Sequence, residues 1–232
     1  MHKKTILITG ANKGIGFEIA RQLAAKGHLV IISGRSKIRL EEAADRLREE
    51  NEGIESILMD VSDDSSVTDA AEELKGRSIG LDVLINNAAI LYKEDKSLEK
   101  MNFVLLENII NTNSYGPLRV IRAMLPIIKN GGRIINISSE GGSMTEPIGG
   151  WSPGYCTSKS FLNALTRHLA YELSGRNISV NAVTPGWVRT EMGGTYAPRP
   201  IIKGAETPVW LASDAPHELT GKFFKDKSEI RW

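Results

Sequence analysis

The 232-residue sequence predicts an α/β fold, a doubly wound, mostly parallel sheet with helices on both faces, built as a single domain over 1–232. Three observations lead there. Short β-branched apolar runs alternate with helical apolar patterns along the whole chain. The first run passes into a helix through a turn with three glycines. Each predicted strand then stops at small or polar residues, the feature expected where a parallel sheet presents its carboxyl edge to a ligand.

Thr5 to Thr9 reads as a fully buried strand, ending at Gly10, with Gly14 and Gly16 in the turn that follows. Phe17, Ile19, Ala20, Leu23 and Ala24 give the apolar face of the next helix. Leu29 to Ser33 is a second strand, and Leu40, Ala43, Ala44 and Leu47 mark an amphipathic helix. Ile54 to Met59 is a third strand, ending at Asp60; Ser62 or a polar residue after it caps a helix towards Leu74. Leu81 to Ile85 is a fourth strand, followed by helix from Met101 to Ile128 with an interruption near Asn113 and Gly116-Pro117. Arg133 to Ile137, a helix from Ser158 to Leu173, and Ile178 to Val183 come next, the last stopped by Pro185-Gly186. Arg189 to Gly204 is polar and rich in Gly and Pro, Val209 to Ala212 is a short helix, and Phe223-Phe224 suits a final strand.

Composition narrows the functional classes. The 29 basic and 28 acidic side chains leave a net charge of +1, so no nucleic-acid footprint is expected. Cys156 is the single cysteine, which excludes an internal disulfide and suits a reducing compartment. No apolar run reaches the ~20 residues of a membrane span. The first strand begins close to Met1 with no room for a signal peptide, so a cytoplasmic location is expected. His2, His28, His168 and His217 lack metal-ligand spacing, and no metal site is expected.

The strand ends gather Gly10, Gly34, Asp60, Asn87, Ser138-Ser139 and Pro185-Gly186 along one edge. A strand, a glycine turn and a helix N-terminus make a phosphate cradle, because glycine admits close approach and the helix end offers free N–H groups. The strip as a whole suits an extended dinucleotide.

These segments carry a resemblance to the short-chain dehydrogenase/reductase family in its compact single-domain branch. They are Thr9-Gly10-x-x-x-Gly14-x-Gly16, Asp60-Val61, Asn86-Asn87-Ala88-Ala89, Asn113, Ser139, Tyr155-x-x-x-Lys159 and Pro185-Gly186-x-x-x-Thr190. The Asn12-Lys13 pair and the closing GKFFKDKSEIRW look like the carbonyl-reductase side of that family. Ala89 stands where many members have glycine, and the spacing from Ser139 to Tyr155 is longer than the usual short form. The resemblance implies a Rossmann-type fold, with Gly10, Asn12, Lys13, Gly14, Ile15 and Gly16 at the cofactor phosphates. It further implies Asp60, Val61, Asn87 and Ala88 along the cofactor, and Pro185, Gly186, Val188 and Thr190 at its far end. It implies that Asn113 holds a water in a proton relay behind Lys159.

The chemistry follows from the side chains. Reducing a carbonyl requires a hydride donor at carbon and a proton donor at oxygen. Lys159 lies one helical turn after Tyr155, so its ammonium is expected to lower the tyrosine pKa and to bind a ribose hydroxyl. Ser139 ends the fifth strand and can donate to the same substrate oxygen; of the two adjacent serines the resemblance favours Ser139, leaving Ser138 as a plain turn residue. Trp187, Met192 and Tyr196 serve either as an apolar lid over substrate or as loop anchors. Cys156 reads as packing. Gly34 stands where an NAD-selective carboxylate is expected, and Arg35 and Lys13 offer cations to a phosphate, so NADP(H) is preferred over NAD(H). The expected activity is NADPH-dependent reduction of a small ketone, aldehyde or quinone. The resemblance implies a homo-oligomer through the helices at 116–128 and 158–173, where Leu162, Leu165, Leu169 and Leu173 suit a buried stripe, most of them needed for the chain's own core. The alternatives are an NAD-dependent alcohol dehydrogenase of the same family and a non-catalytic dinucleotide-sensing protein.

Overall fold

Apolar residues on consecutive strand positions require a sheet covered on both faces, and the computed structural model, which describes residues 3–145 and 150–232, has that form. The elements in order are β1 (Thr5–Ile8), α1 (Gly14–Ala25), β2 (Leu29–Gly34), α2 (Lys37–Glu50), β3 (Ile54–Leu58) and α3 (Asp64–Gly76). They continue with β4 (Leu81–Asn86), α4 (Phe103–Ile110), a π turn (Asn111–Tyr115), α5 (Gly116–Met124) and β5 (Ile128–Ile137). A 3₁₀ turn (Glu140–Gly142), α6 (Pro153–Glu172), β6 (Ser179–Val183), α7 (Ile201–Ser213), β7 (Phe223–Lys225) and β8 (Ser228–Ile230) complete the described chain. The strands form one sheet in the order β3-β2-β1-β4-β5-β6-β7-β8, parallel except for the β7–β8 hairpin. Ile6 and Ile8 face the core under α1, α2 and α7, while Leu7 between them faces the core under α3, α5 and α6. This alternation makes every strand position apolar.

The chain runs outward from β1 to β3 and then restarts at β4 on the other side of β1, so the strand order reverses between β1 and β4. Ligands of such sheets bind in the crevice at that reversal, beyond the carboxyl ends of the strands.

Several boundaries differ from the sequence expectation, each for a physical reason. The helix expected to run to Ile128 ends at Met124, and Ile128 opens β5. Asn130-Gly131-Gly132 looks like a turn, yet lies within β5 as a bulge with Gly131 at φ 78° and a register shift against Leu81–Val83. The interruption near Asn113 is a continuous π turn, not a break. The helix expected from Ser158 begins at Pro153, since proline at the first position needs no N–H partner. Pro208, a breaker on paper, is carried inside α7, which spans 13 residues. β8 follows a two-residue turn whose Asp226 and Lys227 both have positive φ, without the Asn-Gly that usually marks such a hairpin. Leu162, Leu169 and Leu173 are buried in the chain's own core and leave no exposed leucine stripe. Among the described residues no helix is long and apolar enough to cross a membrane, and no group of metal ligands occurs; His2 lies outside them.

At the opposite end of the sheet His28 is buried, its Nδ1 accepting from Lys4 N at 3.3 Å and its Nε2 without a partner. Burial, reinforced by the Lys4 and Lys26 charges, lowers its pKa. The unfolded chain therefore takes up this proton first, near pH ~6.5, and stability falls as pH drops below that value. His28→Asn keeps an acceptor and removes the titration. Its melting temperature is expected to fall less than the wild type's between pH 7 and 5, as read by thermal denaturation.

Candidate active site

The glycine turn is set by what lies across the β1–β4 crevice. Thr9 Oγ1 accepts from Asn87 N and Ala88 N, each at 3.0 Å. Asn87 Nδ2 donates back to the Thr9 and Gly10 carbonyls at 2.9 and 3.0 Å. A Cβ on Gly10 would lie 2.8 Å from Ala88 Cα, and one on Gly16 would lie 2.4 Å from Asn87 Nδ2. Neither position tolerates a side chain. Gly14, at φ 62°, instead faces open space. The α1 N-cap, Lys13, makes no side-chain cap bond, and the first turn, which includes Ile15, contains no acidic residue. The leading N–H groups of α1 are thus left for an outside anion, which suits the phosphates of a dinucleotide.

Further along the edge, Asp60 Oδ1 accepts from Ser62 N at 2.9 Å and from Ser62 Oγ at 2.6 Å. Val61 packs under Gly116, and Arg119 donates to its carbonyl at 2.8 Å. Beside the turn, a cavity of about 380 Å³ is lined by Asn12, Lys13, Arg39, Glu42, Arg46 and Glu191. Arg39 and Arg46 were not expected there. They are brought to the turn by the packing of α2, a placement that no motif encodes, and Arg46 also stacks over Phe17 at 4.8 Å. Lys13 is not a free cation, because its Nζ pairs with Glu191 at 2.6 Å. That pair is solvent-exposed and holds the lysine only weakly. Arg35 is exposed, and Gly34 lies against Asn12, whose Oδ1 would be 3.3 Å from a Cβ at 34.

The chemistry-bearing side chains converge beyond β5. Ser139 follows the strand and caps the 3₁₀ turn, its Oγ accepting from Gly141 N at 3.1 Å. It also lies close enough to the Tyr155 hydroxyl to favour that group's ionised form. Tyr155 occupies the first turn of α6, and Lys159 the next, its Nζ donating to Ile137 O at 2.8 Å and lying 5.5 Å from the Tyr155 ring centre. Ser138, expected as a plain turn residue, donates to Asn163 Oδ1 at 2.6 Å and anchors α6 to the strand end. Asn113 accepts from Ile90 N at 2.8 Å and donates to Ile90 O and Ser158 Oγ, so its side chain is fully engaged. Trp151, unforeseen, faces Tyr155 with ring centres 6.1 Å apart. Asp95, also unforeseen, accepts from Gly154 N and Tyr155 N at the head of α6. The Asp95 contact is long-range in sequence, whereas Trp151 lies four residues before Tyr155 and just outside α6.

Burial dominates the electrostatics. It pushes the Tyr155 hydroxyl well above its ordinary value, and the neighbouring Ser139 hydroxyl opposes the rise. It pushes Lys159 down to about 7. The expectation that the Lys159 ammonium sets the tyrosine pKa is therefore corrected, since desolvation is the first cause at both groups. Cys156 is pushed up to about 11 by burial and then by the Asp95 charge, and its Sγ contacts Trp151 O at 3.3 Å, a packing role as expected.

After β6 the chain turns at Pro185 and Gly186, the latter at φ 75°. Val188 is buried, and Thr190 Oγ1 accepts from Gly193 N at 3.1 Å. Trp187 is 60 % exposed, Met192 46 % and Tyr196 92 %. Trp187 Nε1 donates to Gly193 O at 2.7 Å, which fixes the indole while leaving its face in solvent. These three are open apolar surface rather than packed loop anchors.

Comparison with known proteins agrees with the fold. The family profile described as short chain dehydrogenase matches residues 4–200. The chain is 34 % identical to carbonyl reductase (NADPH) 1 of Sus scrofa, over 99 % of this chain and 94 % of the relative. It is 32 % identical to (+)-neomenthol dehydrogenase of Arabidopsis thaliana, over 95 % of each. Among solved structures, the NADPH-bound carbonyl reductase from chicken fatty liver superposes with a TM-score of 0.90 at 27 % identity, covering 100 % of this chain and 95 % of that one. The carbonyl reductase Sniffer of D. melanogaster gives a TM-score of 0.90 at 27 % identity, with both chains fully covered.

The buried lysine has a thermodynamic consequence. Lys159 binds its proton near pH 7 in the folded chain and near ~10.4 when unfolded. Between those values the unfolded state holds more protons, so stability rises with pH. Denaturant midpoints of the wild type are expected to climb from pH 7 to 10, while those of Lys159→Met stay flatter over the same range.

Proposed function

The chain belongs to the short chain dehydrogenase family, and we propose that it reduces a small ketone, aldehyde or quinone with NADPH, Tyr155 being the proton donor. One observation carries this reading: a buried tyrosine beside Ser139 and one helical turn from Lys159, at the carboxyl edge beside the glycine turn. A bound nicotinamide supplies the hydride. The protein's own groups act on the oxygen. At neutral pH the Tyr155 hydroxyl carries its proton, as a phenol does, and so has one to give to the substrate oxygen. Ser139 directs a second hydrogen bond to the same oxygen. Lys159, one helical turn from Tyr155 and with its proton loosened by burial, sits where a ribose hydroxyl can reach it. For Asn113, relay support falls to the main-chain carbonyl, because its side chain is taken up by Ile90 and Ser158.

The cofactor preference rests on charge. Gly34 leaves the ribose without a competing carboxylate, and Arg35, with Arg39 in the adjoining cavity, provides guanidinium groups for a phosphate. Lys13 joins them when it exchanges Glu191 for that phosphate. The relatives of Sus scrofa and chicken, whose names specify NADPH, support the same choice.

A panel of carbonyl compounds, followed by loss of NADPH absorbance, tests the activity. Tyr155→Phe keeps the ring and the fold and is expected to lose ~10²–10⁴-fold in kcat while still binding NADPH. Retention of more than about a tenth of wild-type turnover would remove Tyr155 from the role.

Cofactor choice is tested by kcat/KM for both nucleotides. Arg35→Ala is expected to weaken NADPH use by about ten- to a hundred-fold, with NADH little affected, since hydrogen bonds between charged groups are worth ~1.5–3 kcal/mol. Gly34→Asp, after a small shift of Asn12, is expected to turn the preference towards NADH. Equal use of the two nucleotides by the wild type contradicts the assignment.

A further inference from the structure

The head of α6 lacks a local cap. Ser152 stands in the left-handed region at φ 41° and makes no side-chain bond to the first turn. A helix that starts in the interior needs acceptors for its leading N–H groups. They come from far away in sequence. Asp95 Oδ1 accepts from Gly154 N and Oδ2 from Tyr155 N, both at 2.8 Å. Asp95 is only 2 % exposed, and both its oxygens meet the positive end of the helix dipole. Gly154 permits this approach, because a Cβ there would lie 3.2 Å from Asp95 Oδ1 and 3.0 Å from Met101 Cε.

The carboxylate belongs to the segment between β4 and α4, which begins at the cofactor edge. Asn113 clamps its Ile90 through both backbone groups, and Asp95 N closes a turn onto Tyr92 O at 3.2 Å. The backbone of Tyr155 is thereby fixed from outside its own helix, by a group that leaves no freedom to the residue carrying the hydroxyl. We propose that Asp95 is a positioning residue for the reaction, holding the Tyr155 hydroxyl in register with Ser139. The inference rests on Tyr155 being the proton donor. Asparagine at position 95 has the same shape but one acceptor, and its NH₂ opposes the second helix N–H.

The test compares wild type, Asp95→Asn, Gly154→Ala and Tyr155→Phe in the full chain. 4-Nitrobenzaldehyde is the carbonyl probe, and turnover is expressed per NADPH site counted by fluorescence titration. Loss of folded protein lowers the number of sites and not the turnover of each. Asp95→Asn is expected to lose about ten- to a hundred-fold in kcat per site, the scale of an ångström-sized misplacement, with NADPH affinity unchanged. Amide exchange should show Gly154 N–H or Tyr155 N–H losing protection. Gly154→Ala, which keeps every hydrogen-bonding group and crowds the carboxylate along with Met101 and Ile109, should lose turnover per site in the same direction and covers the case where Asp95→Asn does not fold. Wild-type turnover per site in Asp95→Asn, or unchanged protection at both amides, overturns the proposal. An active Tyr155→Phe instead strikes the proton-donor reading. If the wild type does not reduce the aldehyde, the exchange result alone decides, lost protection supporting the positioning role and retained protection overturning it.

Discussion

The site depends on the seating of α6 against the ends of β4 and β5, and that seat is polar. Asn86 and Asn136, paired in register on neighbouring strands, are joined through their side chains at 2.9 Å, and Asn136 passes the chain on to Thr166 of α6. Asn163 bridges Ser138 and the Gly142 carbonyl, and Ser114 Oγ reaches the Ser158 carbonyl at 2.9 Å. All of this is buried, where a satisfied hydrogen bond is strong and a missing partner is costly. Apolar packing tolerates sliding of a helix over a sheet, whereas directional bonds at four points do not. Gly142 shows how tight the fit is, since a Cβ there would stand 2.7 Å from the Lys159 backbone.

The two helices that frame the site treat their N-termini in opposite ways. The first turn of α1 has no acidic residue and no side-chain cap, so its N–H groups and dipole are available to a phosphate. The first turn of α6 is closed by the Asp95 carboxylate and carries the tyrosine. One end is kept open for the cofactor and the other is filled to hold a residue still. A single physical property of helices thus serves binding in one case and positioning in the other.

Outside the site, ion pairs tie the C-terminal hairpin to the loops that border it. Lys225 pairs with Glu140, the residue after Ser139, and Asp226 pairs with Arg199 at the end of the loop that follows β6. Arg199 also lies against Gly186. The hairpin therefore buttresses both loops flanking the substrate side, which gives the short β7 and β8 a purpose beyond closing the sheet edge.

The amino-acid sequence by itself determined the layered fold, the six parallel strands of the core and the carboxyl edge at which Gly10, Asn87, Ser139 and Gly186 meet. These are local properties: apolar periodicity, a glycine turn and strand stops are each written in a few neighbouring residues. Tyr155 and Lys159 were legible for the same reason, a spacing of one helical turn. Tertiary structure alone decided the bulge at Gly131-Gly132 and the passage of α7 through Pro208, because packing outweighs local breakers. It decided, too, that burial rather than a neighbouring charge governs Tyr155 and Lys159, that Lys13 meets Glu191, and that Asp95 caps a helix almost sixty residues away. Desolvation and long-range pairing depend on which segments the fold brings together, and no window of sequence contains that information.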